Sequence, residues 1–323
     1  MDENERKEMV FYYESRQNPN GDPGFENQPR LMSDNRIMVT DVRIKRTIRD
    51  YAKYHHNTKI FVDTIDGKPV KPEEMAQKIL NGKMEYKNLL RDTFDVPIFG
   101  VLVPTAGKKT QRSAQNADQE ETSGSSFKVT GPVQFGIGYS VNPVEIISPQ
   151  ISSHFVGKEK EGKEQFGTFG RFYSVKYALI KTHGVINPTN ILEYKDNEEI
   201  MKNFNKSESM LFECLWNGTN SLVTRSKYPQ RSILYIEVTY DKLLFNDLHL
   251  LVNENEKMKG DGVEKLDAES FDFSEFLKAL EARKKKVKSV KIAGCYELKT
   301  VIDKLKKDVS NIGIEVEILN VEQ

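Results

Sequence analysis

NPNGDPGFENQPRLMSDNRIMVTDVRIKRTIRDYAKY, residues 18–54, is the stretch on which the fold turns. Its first half, to residue 40, carries Gly21, Gly24 and three prolines. Its Asn-Gly and Asn-Pro steps are turn signals, so it reads as a polar loop. From Asp41 the period becomes helical, with Thr40 or Asp41 placed to cap the first free amides. On a helical wheel Ile44, Ile48, Tyr51 and Ala52 share one flank. Lys45, Arg46, Arg49 and Lys53 share a neighbouring arc, which leaves Arg43, Thr47 and Asp50 facing outward. Four cations on one arc repel one another unless a polyanion lies along them. Such a row is either a solvated face or an anion-binding one. The loop feeding into it would let backbone amides and cations converge on phosphates.

Working outward, residues 8–15 are rich in β-formers and read as a first strand. Residues 55–126 are less regular and read as an insertion, with helices near 72–80 and 87–94 and a loop-like tail, GKKTQRSAQNADQEETSGSS. Residues 127–147 alternate in strand fashion. Residues 148–174 read as a long hairpin with a charged tip and five aromatics, Phe155, Phe166, Phe169, Phe172 and Tyr173. Those aromatics either pack on the main core or meet stacked bases or a neighbouring chain. A strand at 177–180 precedes an apolar helix at 208–216, for which Asn217-Gly218 reads as the stop. A loop at 224–227 leads to the clearest strand of the chain, 232–240. Helix 274–285, strand 287–293, helix 297–309 and strand 314–320 close the sequence. This order predicts an α+β protein, compatible with a βαββαβ ferredoxin-like sheet packed by helices on one face.

A chain of 323 residues fits one elaborated core or a core with an inserted subdomain. With 48 basic and 48 acidic residues, it is no generic nucleic-acid coat, and any polyanion site must come from local segregation of charge. Residues 36–53 show that segregation, with six basic and two acidic side chains. A neutral protein with basic and acidic faces can also stack on copies of itself. No apolar run approaches the roughly 18 residues of a membrane span. The opening MDENERKEM lacks a signal-peptide core, and Cys214 and Cys295 form no ligand-pair spacing, so a reduced, cytoplasmic protein without cofactors is expected. The five histidines make no metal pattern, and there is no nucleophile elbow, P-loop or dinucleotide fingerprint. One catalytic constellation remains: Asp22, Asp34 and Asp41 beside a phosphate-binding surface would suit a divalent metal for phosphodiester cleavage. A turn-forming Asp22 and a capping Asp41 explain the same residues without chemistry.

Several segments carry a resemblance. NPNGDP at 18–23, PR at 29–30 and VTDVRIKRTIRDY at 39–51 strongly resemble the backbone subunit of type I CRISPR surveillance complexes (Cascade). Type I-B is the nearest match, a branch of the repeat-associated RNA-binding superfamily. GPVQFGIGYS at 131–140, YALIKTHGVINP at 177–188 and LWNGTNSLVTRSK at 215–227 agree in order. The resemblance implies a right-hand-like, RRM-like architecture whose copies stack helically along a guide RNA, and in which a thumb hairpin displaces one base at regular intervals. Carried over, residues 1–54, 127–147 and 175–323 would form the palm with a C-terminal α/β extension, 55–126 the fingers and 148–174 the thumb. Lys45, Arg46 and Arg49 would hold guide phosphates. Asn18, Asn20 and Arg30 match the opening loop, and Gln134 and Arg225-Ser226-Lys227 match two later motifs. Phe155, Phe166 or Phe169 would be the thumb wedge. The implied partners are guide RNA, further copies, other Cascade subunits and target DNA, and the implied role is a non-catalytic scaffold. The alternative is a metal-dependent ribonuclease like the type III relatives, with Asp22 or Asp34 cutting target RNA.

Overall fold

Strand β1, Glu5–Ser15, has no polar face across its middle: Met9, Phe11 and Tyr13 are buried on one side and Val10 and Tyr12 on the other. Such a strand is stable only at the centre of a sheet covered on both faces. A computed structural model, which describes residues 4–83, 85–104, 126–156 and 167–321, puts it there. For residues 150–156 and 167–170 it describes the backbone.

In chain order the main elements after β1 are β2 (Met38–Val39), α1 (Asp41–His55), β3 (Val133–Phe135) and β4 (Gly138–Ser140). Then come β5 (Ala178–Ile186), α2 (Glu198–Ser209), α3 (Leu211–Asn220) and β6 (Gln230–Asp241). The last are α4 (Ser274–Arg283), β7 (Val287–Gly294), α5 (Lys299–Ile312) and β8 (Glu315–Ile318). The strands form one eight-stranded sheet in the order β8-β7-β6-β1-β5-β4-β2, with β3 also paired to β5. Neighbours run antiparallel except β7 and β8. Phe11 fixes the register, opposite Thr182 on β5 and Tyr235 on β6.

Helices α1 and α3 cover the face that carries Met9, Phe11 and Tyr13, burying Ile44, Ile48, Ala52, Leu211, Cys214, Leu215 and Trp216. The expectation of helices on one face alone is corrected by α4 and α5. Phe276, Leu280, Ile302, Leu305 and Val309 close over Val10 and Tyr12 on the second face. Each large side chain so buried contributes on the order of 1.5–3 kcal/mol, and that is the physical reason the sheet is not left open. The expected stop at Asn217-Gly218 is also corrected, since α3 continues to Asn220. Gly218 is there for close packing: a Cβ on it would sit 3.1 Å from the Thr47 carbonyl oxygen of α1.

The stretch 55–126 builds its own apolar cluster, with Phe61, Met75, Leu80, Leu89, Leu90, Val96 and Val103, joined by Ile200 of α2. Residues 150–156 pair antiparallel with 167–171, as a hairpin requires. Most of the polar tail at 107–126, and Phe166 with the rest of the charged tip, lie outside the described residues. No helix among the described residues is long and apolar enough to cross a membrane.

Candidate nucleic-acid interface

Helix α1 begins as its sequence dictates, with the Thr40 side chain accepting from the Arg43 amide. Its cations do not form the free row expected of them. Lys45 pairs with Asp41 at 3.2 Å and donates to Gln134 Oε1 at 3.3 Å. Arg46 pairs with Asp50 and lies 3.5 Å from Asp63, to which Lys53 is also bound. Burial works against the Arg46 charge, yet its bond to Asp50 and the Asp63 field outweigh that and raise its pKa. Arg49 is buried: its Nε donates to Asp95 Oδ2 at 2.7 Å, and its guanidinium lies 5.0 Å from the Phe99 ring centre. Asp95 also accepts the Phe61 and Val62 amides at 2.7 and 3.0 Å, so it clamps the 55–126 stretch onto α1. The outward row is therefore corrected. Its charges are neutralised within the protein, and Arg49 is a buried tie between two substructures rather than a surface cation.

Two residues assigned to the outward side lie elsewhere. Thr47 is buried against α3, and Arg43 is half-buried, donating to Thr47 Oγ1 at 3.0 Å. The Arg43 charge reaches Lys227, 184 positions away in sequence. Among the described residues neither Arg43 nor Lys227 is ion-paired with a carboxylate, and Asp50 reaches Arg43 only at longer range. Burial first and the Arg43 charge second push the Lys227 amine down to about 8. Burial likewise holds Arg43 below its ordinary value. Half-buried cations without a paired carboxylate are costly for the free protein, and a phosphate alongside would reduce that cost.

Lys227 opens onto a groove of about 530 Å³ where three segments far apart in sequence meet: the opening loop, residues 171–173 and residues 224–227. Asn18 holds this junction. Its amide donates to the Ser226 carbonyl at 3.0 Å, and its carbonyl accepts from Lys227 Nζ at 3.2 Å. Tyr173 ties the loop to the hairpin base, its hydroxyl bonding Glu26 at 3.2 Å and accepting from Gln28 at 3.1 Å. Arg225 lies 5.7 Å from the Phe172 ring centre, and Arg171 is held by Tyr173. The groove thus offers Arg171, Arg225 and Lys227 for phosphates and Phe172 as a stacking surface, with Glu26 its one acidic wall.

Of the residues singled out from sequence, Asn18, Arg225, Ser226 and Lys227 converge on this groove. Asn20 supports the loop behind it. It accepts from the Thr40 hydroxyl at 3.4 Å, and its side-chain nitrogen is buried without a partner. Arg30 is tied to Asp22 at 3.0 Å, with its Nε also buried and unpartnered. Gln134 and Lys45 meet each other rather than the groove. Phe155 and Phe169 sit on the paired hairpin strands, though their side chains, like Phe166, fall outside the described residues. Sequence reasoning missed Arg43 and Arg171. Arg43 carried a weak signal, being one turn before Thr47 on a helix whose neighbour carries a glycine.

The acidic alternative finds its residues occupied. Asp22 accepts the Gly24 amide at 3.0 Å and pairs with Arg30. Asp34 bonds Arg36 at 2.7 Å, and that bond holds its carboxyl below the usual range. Asp41 pairs with Lys45. Among the described residues no three His, Cys, Asp or Glu side chains gather to hold a metal ion.

Fold and groove together define an α+β protein with a cation-lined, aromatic-floored surface site. The family model described as CRISPR-associated protein Cas7 matches residues 5–275, most of the chain, and the chain belongs to that family. Among solved structures, a chain of a "CRISPR RNA-guided surveillance complex" is similar at a TM-score of 0.49 and 11% identity, over 98% of this chain and 95% of that one. A chain of a "CRISPR RNA-guided surveillance complex, pre-nicking" is similar at a TM-score of 0.50 and 10% identity, over 98% and 96%. At that identity the second likeness concerns the fold alone. Curated proteins give no match.

Proposed function

We propose that this chain is the guide-RNA-binding backbone subunit of a type I surveillance complex of the I-B kind, acting as a non-catalytic scaffold. It would stack with copies of itself along the RNA, beside other subunits, and support recognition of target DNA. The observation that carries this is the convergence of Lys227, Arg225 and Arg171 on one groove, in a chain of zero net charge. Family membership supports it.

The strand sequence β1, β4, β5, β6 lies in the spatial order β6-β1-β5-β4, with α1 and α3 on one face. That is the order of a ferredoxin-like βαββαβ unit, which favours residues 1–54, 127–147 and 175–241 as an RRM-like palm. Residues 242–323 then extend the palm and cover its back. The separate core within 55–126 favours fingers, and the hairpin within 148–174 favours a thumb, with Phe155, Phe166 or Phe169 as its wedge. A covered sheet leaves RNA the rim groove in place of the open strand face used by RRM domains.

Two RNAs of equal length and unrelated sequence, titrated at one salt concentration, test this reading. A subunit that accepts every guide holds backbone, so the affinities should agree within a few fold. Strong preference for one sequence, or equal affinity for uncharged polymers, would overturn it. The nucleic acid that co-purifies with the protein should be repeat-derived RNA.

A further inference from the structure

Among the cations of the groove, Arg171, Arg225 and Lys227, stands one carboxylate, that of Glu26. An acid beside bound phosphates costs affinity unless the ligand also brings a donor to it. Two features hold Glu26 in that place. Its backbone is left-handed, at φ 51°, and Asn27 follows at φ 59°. Asparagine enters that region readily and glutamate does not, so the turn is made at a local cost. The Asn27 amide closes it on the Asp22 carbonyl at 2.8 Å. The side chain is fixed by Tyr173, whose hydroxyl lies 3.2 Å from Glu26 Oε2. That hydroxyl accepts from Gln28 Nε2 at 3.1 Å and meets the Arg171 guanidinium, so its own proton is left for Glu26. Among the described residues the second oxygen, Oε1, meets no donor. We infer that Glu26 is the residue that tells ribose from deoxyribose in this groove, its free carboxylate oxygen accepting the 2′-hydroxyl proton of a bound RNA strand. The inference rests on the RNA-binding function proposed above and adds sugar selectivity to it.

The choice of the sugar follows from what a carboxylate can do. It only accepts, and the donors of a single strand are its base N–H groups and its 2′-hydroxyls. A subunit that takes every guide meets a different base edge at each position, whereas every ribonucleotide carries the 2′-hydroxyl in the same place. Arg171 and Glu26 share the Tyr173 hydroxyl, so a phosphate held by Arg171 brings the adjoining ribose to the carboxylate. Deoxyribose has no donor to offer there. Against DNA the carboxylate stays unmatched and repels the neighbouring phosphate.

The test uses the full chain, freed of nucleic acid, with single-stranded RNA and 2′-fluoro RNA of one sequence as probes. Fluorine keeps the ribose-like sugar shape and removes the donor. Wild type should bind RNA about tenfold more tightly than 2′-fluoro RNA, the size of one hydrogen bond to a charged group. Glycine suits the left-handed backbone at position 26, so Glu26→Gly keeps the turn while removing the carboxylate. That variant should bind RNA more weakly and 2′-fluoro RNA more tightly, which brings the ratio near one. A merely structural role would weaken both alike. Equal wild-type affinities, or a ratio that survives in Glu26→Gly, would overturn the assignment and leave the guide-binding reading standing. An effect of Glu26→Gly on oligoadenosine with none on oligouridine, or the reverse, would give the carboxylate to a base edge and overturn it as well. Wild type that binds neither probe would sink the guide-binding reading, and this inference with it.

Discussion

Two sets of cations in this chain have opposite electrostatic character. On the outer arc of α1, Lys45, Arg46, Arg49 and Lys53 each meet an aspartate: Asp41, Asp50, Asp95 or Asp63. Arg43 and Lys227, by contrast, have no paired carboxylate among the described residues, and the Arg43 charge works against that of Lys227. The first set is satisfied by the fold, so a phosphate would have to compete with a carboxylate already in place. The second set is left with a deficit that only something outside the chain removes. Counting cations along a helix therefore points to the wrong ones; what marks a polyanion site is the cation whose counter-ion is missing.

The largest effect expected from this contrast is on stability. Asp95 is 1% exposed and Arg49 8%, and removing one partner of so buried a pair leaves an uncompensated charge. Asp95→Ala should lower the unfolding free energy in urea by about 3–5 kcal/mol. RNA affinity per folded molecule should be retained. A variant that keeps its stability and loses RNA would transfer Arg49 from the fold to the interface.

Removing the unpaired set should do the reverse. An Arg43→Gln, Lys227→Gln double variant should keep or slightly gain stability, because the repulsion is gone, and should bind every RNA more weakly. With about 0.7 in salt slope per phosphate contact on a single strand, the slope of log affinity against log salt should shrink by roughly 1.4. An unchanged slope would place the phosphates elsewhere.

Next in size is a pH effect. The Lys227 value in the free protein is about 8, and a phosphate alongside would raise it, so binding takes up a proton. Affinity should then be full below about pH 7 and fall as pH rises through 8, by up to about tenfold per unit until the RNA-bound value is reached. Fluorescence titrations at pH 7, 8 and 9 check this, with Lys227→Arg as the control whose affinity stays flat. A flat wild-type profile would show that Lys227 is charged throughout or does not touch RNA.

Much of this architecture was legible in the sequence, and what escaped did so for identifiable reasons. The bounds of α1 follow from Thr40 and the Ile44, Ile48, Ala52 period, which are local. Covering of both faces was also legible in principle, because Met9 to Tyr13 is an apolar run rather than an alternation. The pairs Asp41–Lys45 and Arg46–Asp50 stand at helical spacing and could have warned against a free row. Asp95 could not, lying 46 residues from Arg49 with nothing local to tie them. Arg43 and Lys227, like the stacked His183 and His249 rings 4.2 Å apart, belong to elements that only the tertiary fold juxtaposes. Sequence motifs found two segments of the groove, the opening loop and residues 224–227, while helical periodicity assigned Arg43 to solvent.

The smallest expected effect is the most discriminating. Lys45 and Arg46 are two of the paired cations of the outer arc, and a Lys45→Ala, Arg46→Ala variant removes both while leaving Arg49–Asp95 in place. If the arc were the phosphate track, the salt slope of RNA binding would fall by roughly 1.4, as it should for the groove variant. If their charges are already spent on Asp41, Asp50 and Asp63, the slope should change by less than about half a contact, and affinity by no more than a few fold. Stability should fall slightly, not rise, since partly exposed pairs contribute about 0–1 kcal/mol each and their loss leaves Asp41 and Asp50 unpaired. Asp63 retains Lys53 and should hold its place. Salt titrations of the two double variants, run side by side with the same RNA, therefore give opposite answers for the two sets. A large slope change in the α1 variant and none in the groove variant would reverse the assignment and return the guide to the helix face.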